Sequence, residues 1–390
     1  MNQPAPAPRG QVFPCQSCGG QLTYDAATQG MVCPHCGQKQ AVLAPGGGAP
    51  IRTIPLEQGM QLAQRGLGAP VQTVKCDDCG ATVNVGQGEL TAKCAFCGSN
   101  KVLAQQTDAS AIRPESLIPF AITKQAANEG FAKGLSGLWF RPSDLTKLGK
   151  VQDMGGVYVP YWSFDSNVSS SWSAERGFYY WETERVQEQN AQGETVWVDR
   201  QVQRTRWEYA TGGRQDFYKD VLVCAGRGLP EAIVKKFASF DLTRLVEYRP
   251  DFLAGWKAES YALDLMPGWE QGVQIIDASQ YDRCGRDVGG DTQRGLSVQN
   301  HHSGTAFKHV LLPIWISAFR YKDKVYRFLV NGQTGEIVGE APWSIPKIAA
   351  LVVVILAIIG AIIFVVRNQQ TSHPAPLPPH SAPVGGRHGH

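Results

Sequence analysis

The sequence predicts a multidomain chain in which two small metal-binding modules precede an α+β domain with an antiparallel sheet and a C-terminal transmembrane helix. Three observations carry this prediction. The spacing C-x2-C-x14-C-x2-C occurs twice near the N-terminus, strand-like alternation dominates residues 110–342, and a long uncharged apolar run follows. The 390 residues and the 43% apolar content are enough for two or three domains with a sizeable core.

Eight cysteines form two sets with identical spacing, and these sets are the candidate metal ligands. Glycine follows the second cysteine of every pair, as expected of a turn that points backbone N–H groups at a sulfur and needs a positive φ angle. The first set is Cys15, Cys18, Cys33 and Cys36, and the second set is Cys76, Cys79, Cys94 and Cys97.

The chemistry of these sets favours zinc. Four thiolates in a tetrahedral arrangement suit Zn²⁺, so the expected cofactor is Zn²⁺, two per chain. Each module has only about thirty residues, too few for a self-sufficient core. Metal binding, worth roughly 10–16 kcal/mol in small zinc peptides, would supply the missing folding free energy. Disulfides, which are favoured outside the cell, and an iron centre of the rubredoxin type are the alternatives.

The charge distribution argues against nucleic acid as the main partner. Residues 1–109 hold seven Lys/Arg against six Asp/Glu, a difference of +1, and the whole chain carries +3. A nucleic-acid-binding protein usually shows a basic patch. Protein contact or a structural role is therefore the preferred interpretation of the modules, and nucleic-acid binding stays open as the alternative.

Changes in composition predict the domain boundaries. The polar linkers between the units also predict that the units fold independently. The predicted units are residues 12–42 (first module), 43–71 (a linker with a short helix), 72–104 (second module), 110–342 (the α+β domain), 347–366 (the transmembrane helix) and 367–390 (a disordered Pro/His/Gly tail).

The α+β domain is predicted to alternate helices with long, tryptophan-rich strands that have one wet face. Helical periodicity occurs near residues 122–138, 229–240 and 267–285. The stretches "VYVPYWSFD" at 157–165 and "VLLPIWISAF" at 310–319 share the pattern V-x-x-P-x-W. Both duplication and chance explain so short a match, and proline within a strand usually marks an edge or a bulge.

The apolar run Ile348–Val366 predicts a membrane span, since nineteen helical residues reach about 28 Å, close to the hydrocarbon thickness of a bilayer. The N-terminus lacks an apolar segment, so we expect no secretory signal peptide. Free thiolate ligands persist in a reducing compartment. The sequence therefore predicts a single-pass protein of the cell inner membrane with its soluble domains in the cytoplasm.

Searches for catalytic motifs predict that the protein is not an enzyme. The P-loop, H-E-x-x-H, G-x-S-x-G and dinucleotide-binding patterns are all missing from the sequence. Three weaker candidates have ordinary explanations as a polar loop, core packing and a solvated sheet face. They are His301 and His302 with Asp287 or Asp291 as a metal site, Cys224 with His309 as a nucleophile pair, and Arg200, Arg204 and Arg206 as a basic face for anionic lipid or RNA.

The chain as a whole resembles a bacterial family. The segments "YVPYWSFD", "SAERGFYY", "HVLLPIWISAFRY" and "YRFLVNGQTGEIVGEAPWS" are similar to those of bacterial zinc ribbon proteins of the transcription factor IIB type, also labelled primosomal helicase-like, that end in a membrane anchor. The resemblance covers the chain from Cys15 to the apolar run. It implies two tandem rubredoxin-like zinc ribbons with the eight cysteines as ligands. The helicase label does not fit, because the motor motifs are missing.

The same resemblance implies a function. It points to a non-catalytic, membrane-anchored zinc-ribbon adaptor or scaffold in bacterial envelope or membrane-stress maintenance. The implied partners are membrane lipid through the C-terminal helix and membrane-associated proteins of the phage-shock protein A-like or SPFH type. A membrane-tethered nucleic-acid-binding zinc ribbon protein is the alternative.

Overall fold

The computed structural model describes residues 13–42, 51–65, 72–84, 93–106, 112, 114–136, 154–234, 240–321, 324–339 and 344–370. Of the tail predicted to be disordered, residues 367–390, the structure places 367–370 in the last helix, contrary to that prediction, and residues 371–390 lie outside the described residues. The first elements are a three-stranded sheet of β1 (Thr23–Asp25), β2 (Gly30–Val32) and β3 (Lys39–Gln40). Strand β4 (Ile54–Pro55) and helix α1 (Leu56–Arg65) follow, in the segment predicted to hold a short helix.

Most of the remaining strands belong to one large sheet. The second cysteine module contributes β5 (Gln72–Cys76), β6 (Thr82–Asn84) and β7 (Val102–Gln106). The central region contributes β8 (Ser116–Leu117), β9 (Gly155–Gln189), β10 (Thr195–Cys224), β11 (Val246–Glu247), β12 (Lys257–Glu259), β13 (Thr292–Tyr321), β14 (Lys324–Asn331) and β15 (Ile337–Gly339). Its helices are α2 (Lys124–Ser136), α3 (Glu231–Val234) and α4 (Leu265–Val288), with short 3-10 turns at Leu242–Arg244 and Pro250–Leu253.

The large sheet is mixed. The sequence had predicted an antiparallel sheet, and that prediction is wrong for two of the strand pairs. Its path runs β11-β8-β13-β9-β12-β6-β5-β7, and β4, β10, β14 and β15 pair beside that path. Strand β12 pairs in parallel with β9, and β8 pairs in parallel with β13. The short partners in these parallel pairs have two or three residues, so they show no periodicity that a sequence pattern could reveal.

Two halves of the central region repeat one unit of strand, helix, strand and strand. The first unit is β8, α2, β9 and β10, and the second is β12, α4, β13 and β14. The short strand of each unit pairs with the first long strand of the other unit, and β9 pairs antiparallel with β13. The two V-x-x-P-x-W segments meet at the resulting two-fold axis, where Tyr158 pairs with Pro313 and Pro160 pairs with Leu311.

Hydrogen bonds repeat between the two units, residue by residue. Trp315 donates its indole N–H to the carbonyl of Ile122 at 3.0 Å, and Trp162 donates to the carbonyl of Leu263 at 2.8 Å. This correspondence favours duplication over chance as the origin of the shared motif. The backbone matches as well: one set links Gly332 to Pro313, Ala121 and Ile122, and the equivalent set links Ala225 to Pro160, Ala262 and Leu263.

Both motif prolines lie inside long strands, where a missing N–H would normally break a ladder. The neighbour of β9 changes from β12 at Tyr158 to β10 at Tyr161, and Pro160 lies in the gap between them. Pro313 lies in the equivalent gap of β13, between its pairings with β8 and β14. Neither position requires a donor on that side, so proline is tolerated there.

Side chains of β9 and β13 alternate between two faces of the sheet, here called face A and face B. Face A carries Tyr158 and Trp162, and face B carries Val159 and Tyr161, all of them buried. The first cysteine module and helices α2 and α4 pack on face A, whereas the second module packs on face B. Both modules therefore share a hydrophobic core with the central region, instead of standing apart as the polar linkers had predicted.

Helix α4 covers face A with a narrow stripe of residues. A Cβ atom at Gly268 would lie 2.6 Å from the ring of Trp162, so glycine permits the close approach of helix and sheet. Near the other end of the helix, the carboxylate of Asp216 on β10 accepts hydrogen bonds from Gln280 at 2.9 Å and Arg283 at 2.8 Å. The buried stripe is Leu265, Gly268, Gly272, Ile276, Gln280, Cys284 and Val288.

Strands β9 and β10 continue past the end of β13. The β13 pairing ends where Thr292 meets Gly177, while β9 and β10 stay paired from Phe178 and Arg206 out to Gln189 and Thr195. This two-stranded part, residues 178–206, is called the arm. Its turn lies within the polar stretch "QEQNAQGE", residues 187–194.

Helix α5 (Ile345–Gln370) contains the apolar run. Its stretch Ile345–Phe364 has a mean hydropathy of 2.9, and no part of it is buried against the rest of the protein. Twenty helical residues span about 30 Å. In the part of the chain that the structure describes, this is the one helix long and apolar enough to cross a membrane.

Candidate metal centres

All four C-x2-C-G turns have the same backbone geometry. In each turn, the glycine N–H donates to the carbonyl of the first cysteine at 2.8–2.9 Å. The glycines Gly19, Gly37, Gly80 and Gly98 have φ angles between +71° and +76°. A Cβ atom at Gly19, Gly37 or Gly98 would meet no atom within 4 Å, so the positive φ angle, and not lack of space, requires glycine there.

Each set of four sulfur atoms converges into one cluster, as the spacing predicts. In the first cluster, Sγ of Cys15 lies 3.6 Å from that of Cys36, and Sγ of Cys18 lies 3.5 Å from that of Cys33. The second cluster repeats this with Cys76–Cys97 and Cys79–Cys94, both at 3.6 Å, and within each cluster all four sulfurs lie within 4.8 Å of one another.

These distances fit a bound metal ion. A tetrahedral ion with metal–sulfur bonds of about 2.3 Å places its ligands about 3.8 Å apart. A disulfide would require sulfurs about 2.05 Å apart. Among the described residues, these two clusters are the places where metal-ligating side chains converge, and each can hold one metal ion.

The protein environment lowers the pKa of a thiol in each cluster. Backbone N–H groups of Cys36 and His35 lower the pKa of the Cys33 thiol to about 6 despite its burial. The Cys79 thiol, with the N–H of Phe96 at 3.4 Å, lowers the pKa of Cys94 to about 5. Since the thiolate is the form that binds metal, each cluster contains a ligand that is ionised at neutral pH.

The first module docks on the central region through β1. The N–H of Tyr24 donates to the carbonyl of Ala254 at 2.9 Å, and the indole of Trp256 donates to the carbonyl of Tyr24 at 2.9 Å. The side-chain amide of Gln29 donates to the carbonyl of Phe120 at 2.7 Å. Trp256 also stacks on the Phe120 ring at 4.0 Å, so the docking surface is part of the aromatic core on face A.

The second module is continuous with the large sheet. Strand β6 pairs with β12, placing Val83 opposite Glu259. Phe96, which lies between the ligands Cys94 and Cys97, is fully buried, and its carbonyl accepts a hydrogen bond from Arg327 at 2.9 Å. The Phe96 ring lies so close to Gly228 that a Cβ atom there would approach it to 2.4 Å.

One buried carboxylate at this junction is not evident from the sequence. Glu259 accepts hydrogen bonds from the N–H groups of Arg227 and Gly228 at 2.9 and 2.8 Å, and burial raises its pKa to about 7. A single glutamate in a short strand gives no pattern, so sequence reasoning missed it. Its hydrogen bonds tie β12, next to the second module, to the chain that follows β10.

The histidine–aspartate candidates do not come together as a metal site. His302 contacts Asp277 at 2.9 Å, and not Asp287 or Asp291. Asp287 is bonded to Arg214 at 2.6 Å, and Asp291 accepts the N–H of Tyr179 at 2.8 Å. His301 lies on the opposite face of β13 from His302.

Cys224 and His309 do not form a nucleophile pair. Cys224 lies opposite Tyr161, and His309 lies opposite Trp162, so the two side chains are on different faces of the sheet. Burial, with the nearby Glu259, raises the pKa of Cys224 to about 12. Both residues are part of the core.

The arginines of β10 do not form a free basic face. Arg200 lies 4.0 Å from Glu188, and Arg204 lies 3.1 Å from Glu182 and also contacts Glu184. Arg206 lies 3.2 Å from Glu208. These ion pairs give a neutral, solvated face, which is the ordinary explanation of the pattern.

The chain has a distant relative among known proteins. An uncharacterized protein of Bacillus subtilis (strain 168), YdjG, is 26% identical over 343 residues, which is 87% of this chain and 92% of the relative. No protein-family model matches the chain. No solved structure matches it either.

Proposed function

We propose that the protein is a membrane-anchored, non-catalytic adaptor that holds partner proteins at the membrane and binds one Zn²⁺ ion in each cysteine cluster. The main support for the proposal is the position of the clusters. The two modules pack on opposite faces of the large sheet, and each cluster offers four sulfur ligands. A site with four protein ligands leaves no open coordination position, which is typical of structural and not of catalytic zinc.

The terminal helix supplies the second element of the proposal. Its apolar surface is fully exposed, so a bilayer is the environment that would cover it. Confinement to a membrane raises the effective concentration of the soluble region toward any partner there. The similarity in sequence to zinc ribbon proteins with membrane anchors points to phage-shock protein A-like or SPFH-type proteins in the bacterial envelope as those partners.

The test is co-purification from gently solubilised native membranes. The full chain is compared with a chain whose α5 is replaced by an unrelated transmembrane helix of the same length, and with a chain ending at Ser344. We expect membrane-associated partners with the first two chains and a large loss with the third. If the helix-swapped chain recovers none, the helix itself and not the soluble region binds the partners, and the adaptor proposal is wrong.

The zinc and non-enzyme parts have their own measurements. Metal analysis of the purified full chain should give two zinc ions per chain, and a value near one, or iron, contradicts the assignment. Metal-loaded protein should not turn over nucleotide or peptide substrates. Retention on nucleic acid that falls steeply with salt would favour the nucleic-acid alternative.

A further inference from the structure

Among the described residues, none packs on face B of the long strands beyond the second cysteine module. On β10 the residues of this face, from Tyr209 to Phe217, are exposed, while the residues between them are partly covered. The same alternation occurs on β13, from Ser297 to Ser303. We define the open face as face B of β9 from Asn167 to Gln187, together with the residues paired to it on β10 and β13.

The open face has a part with small side chains and a part with large ones. Near the core it carries Ser169, Ser171 and Ser173 on β9, with Thr211 and Gly213 opposite. On the arm, by contrast, it carries Tyr179, Trp181 and Trp197, whose side chains are 47%, 65% and 60% exposed. Large aromatic side chains therefore predominate on the arm, and β9 and β13 offer small or polar side chains at the other end, where Phe217 on β10 is 59% exposed; Tyr209, 73% exposed, lies between the two ends.

The charges of the open face are paired within it. Glu175 lies 2.6 Å from Arg294, and Arg185 lies 3.5 Å from Asp199. The remaining side chains are hydroxyl, amide, aromatic or glycine, apart from His301. The other face of the arm carries three glutamates and three arginines among its valines and aromatic side chains. A nearly neutral surface can meet a copy of itself without repulsion between like charges.

The arm also needs a partner for stability. A two-stranded ribbon is marginally stable in water unless another layer packs on it. Strand geometry makes the open face roughly 70 Å long and roughly 12 Å wide, which is about 800 Å² per copy. A pair of such faces would bury about 1,600 Å², the usual size of a stable and specific protein interface.

We propose that the open face is a homodimer interface, in which two copies pack face to face with their long strands antiparallel about a two-fold axis. In this arrangement the aromatic end of each copy covers the serine end of the other, so that Trp181 lies over the region of Ser171. Phe217, at the serine end, meets Trp197 of the other copy. A two-fold interface uses the same patch on both subunits, and this patch is complementary to itself in size and charge.

The main test uses two substitutions and their combination in the full-length chain in detergent micelles. Ser171→Glu and Trp181→Lys should each weaken dimerisation at least tenfold in sedimentation equilibrium, because each places an unpaired charge in the interface. The double variant should recover most of the affinity, since the two new charges face each other across the axis. Val198→Glu, on the other face of the arm, is the matched control and should leave the dimer unchanged.

A photo-crosslinking amino acid at position 181 tests the orientation. Mixed isotope-labelled and unlabelled chains should give intermolecular links to peptides that contain residues 169–173. Links from 181 to 181 would overturn the antiparallel arrangement. A monomer at all concentrations, or a dimer sensitive to Val198→Glu and not to the open-face variants, would overturn the interface. Zinc content and membrane retention of the same samples test the adaptor proposal, independently of the dimer.

Discussion

Replacing the exposed ligand Cys18 with serine is expected to unfold more than the first cysteine module. The substituted atom is at the surface, so the change removes metal affinity without disturbing core packing directly. A structural zinc site contributes roughly 10–16 kcal/mol to the folding of a small module. Without the ion, about thirty residues cannot hold their own fold. The module should therefore detach from face A.

The cost of detachment follows from the groups buried at that contact. Leu22, Tyr24 and Met31 are each 3–4% exposed, and burial of such side chains is worth about 2 kcal/mol apiece. The hydrogen bonds to Ala254 and from Trp256 add about 1 kcal/mol each. After allowance for the ordering of the module, roughly 5 kcal/mol is lost from the central region. That loss should lower its Tm by roughly 10–20 °C.

The assay combines metal analysis, thermal melting by near-ultraviolet circular dichroism and amide hydrogen exchange on the full chain in detergent. Metal content should fall from two ions to one, and exchange should accelerate in residues 254–256, which contact the first module. Gln16→Ser introduces the same residue at an exposed non-ligand position of the same turn and should change nothing. If metal falls to one while the Tm and the exchange of residues 254–256 stay at wild-type values, the first module is independent of the central region and the coupling is wrong.

The cysteine clusters could be predicted from sequence because their determinants are local. Each turn is closed by hydrogen bonds within six residues, and the positive φ angle leaves a glycine at a fixed position. The spacing then brings two turns together. The docking of the modules could not be predicted, because Tyr24 and Phe96 occur in short stretches that are equally consistent with a free-standing hairpin. Their partners Trp256 and Gly228 lie more than a hundred residues away.

The large sheet was predicted only in part, for a related reason. Strand propensity, one wet face and the turn of the arm follow from alternation along β9 and β10. The crossed parallel pairs do not, since β8 and β12 have two and three residues. The repeated V-x-x-P-x-W pattern was a hint of the two-fold arrangement. The equivalent indole hydrogen bonds of Trp162 and Trp315 are what favour duplication over chance as the origin of the pattern.

Three further predictions test the packing. Burial raises the pKa of Glu115 to about 7, so the folded state binds this proton more tightly than the unfolded chain does. The free energy of unfolding should therefore fall as pH rises from about 4.5 to 7. In denaturant titrations, Glu115→Gln should remove about 3 kcal/mol of that pH dependence. Hydrogen bonds from arginine hold the pKa of Asp216 below its usual range, so Asp216→Asn should lower the Tm and expose α4 to hydrogen exchange. Gly228→Ala places a methyl group against the buried ring of Phe96, 2.4 Å from its nearest atom. Overpacking of this kind costs about 1–3 kcal/mol. Because that ring lies between two ligands of the second cluster, the variant should release one of its two metal ions to a chelator faster than wild type and retain the other normally. Gly155→Ala, where a Cβ atom meets nothing within 4 Å, is the control, and equal release rates from both variants would refute the link between this contact and the second centre.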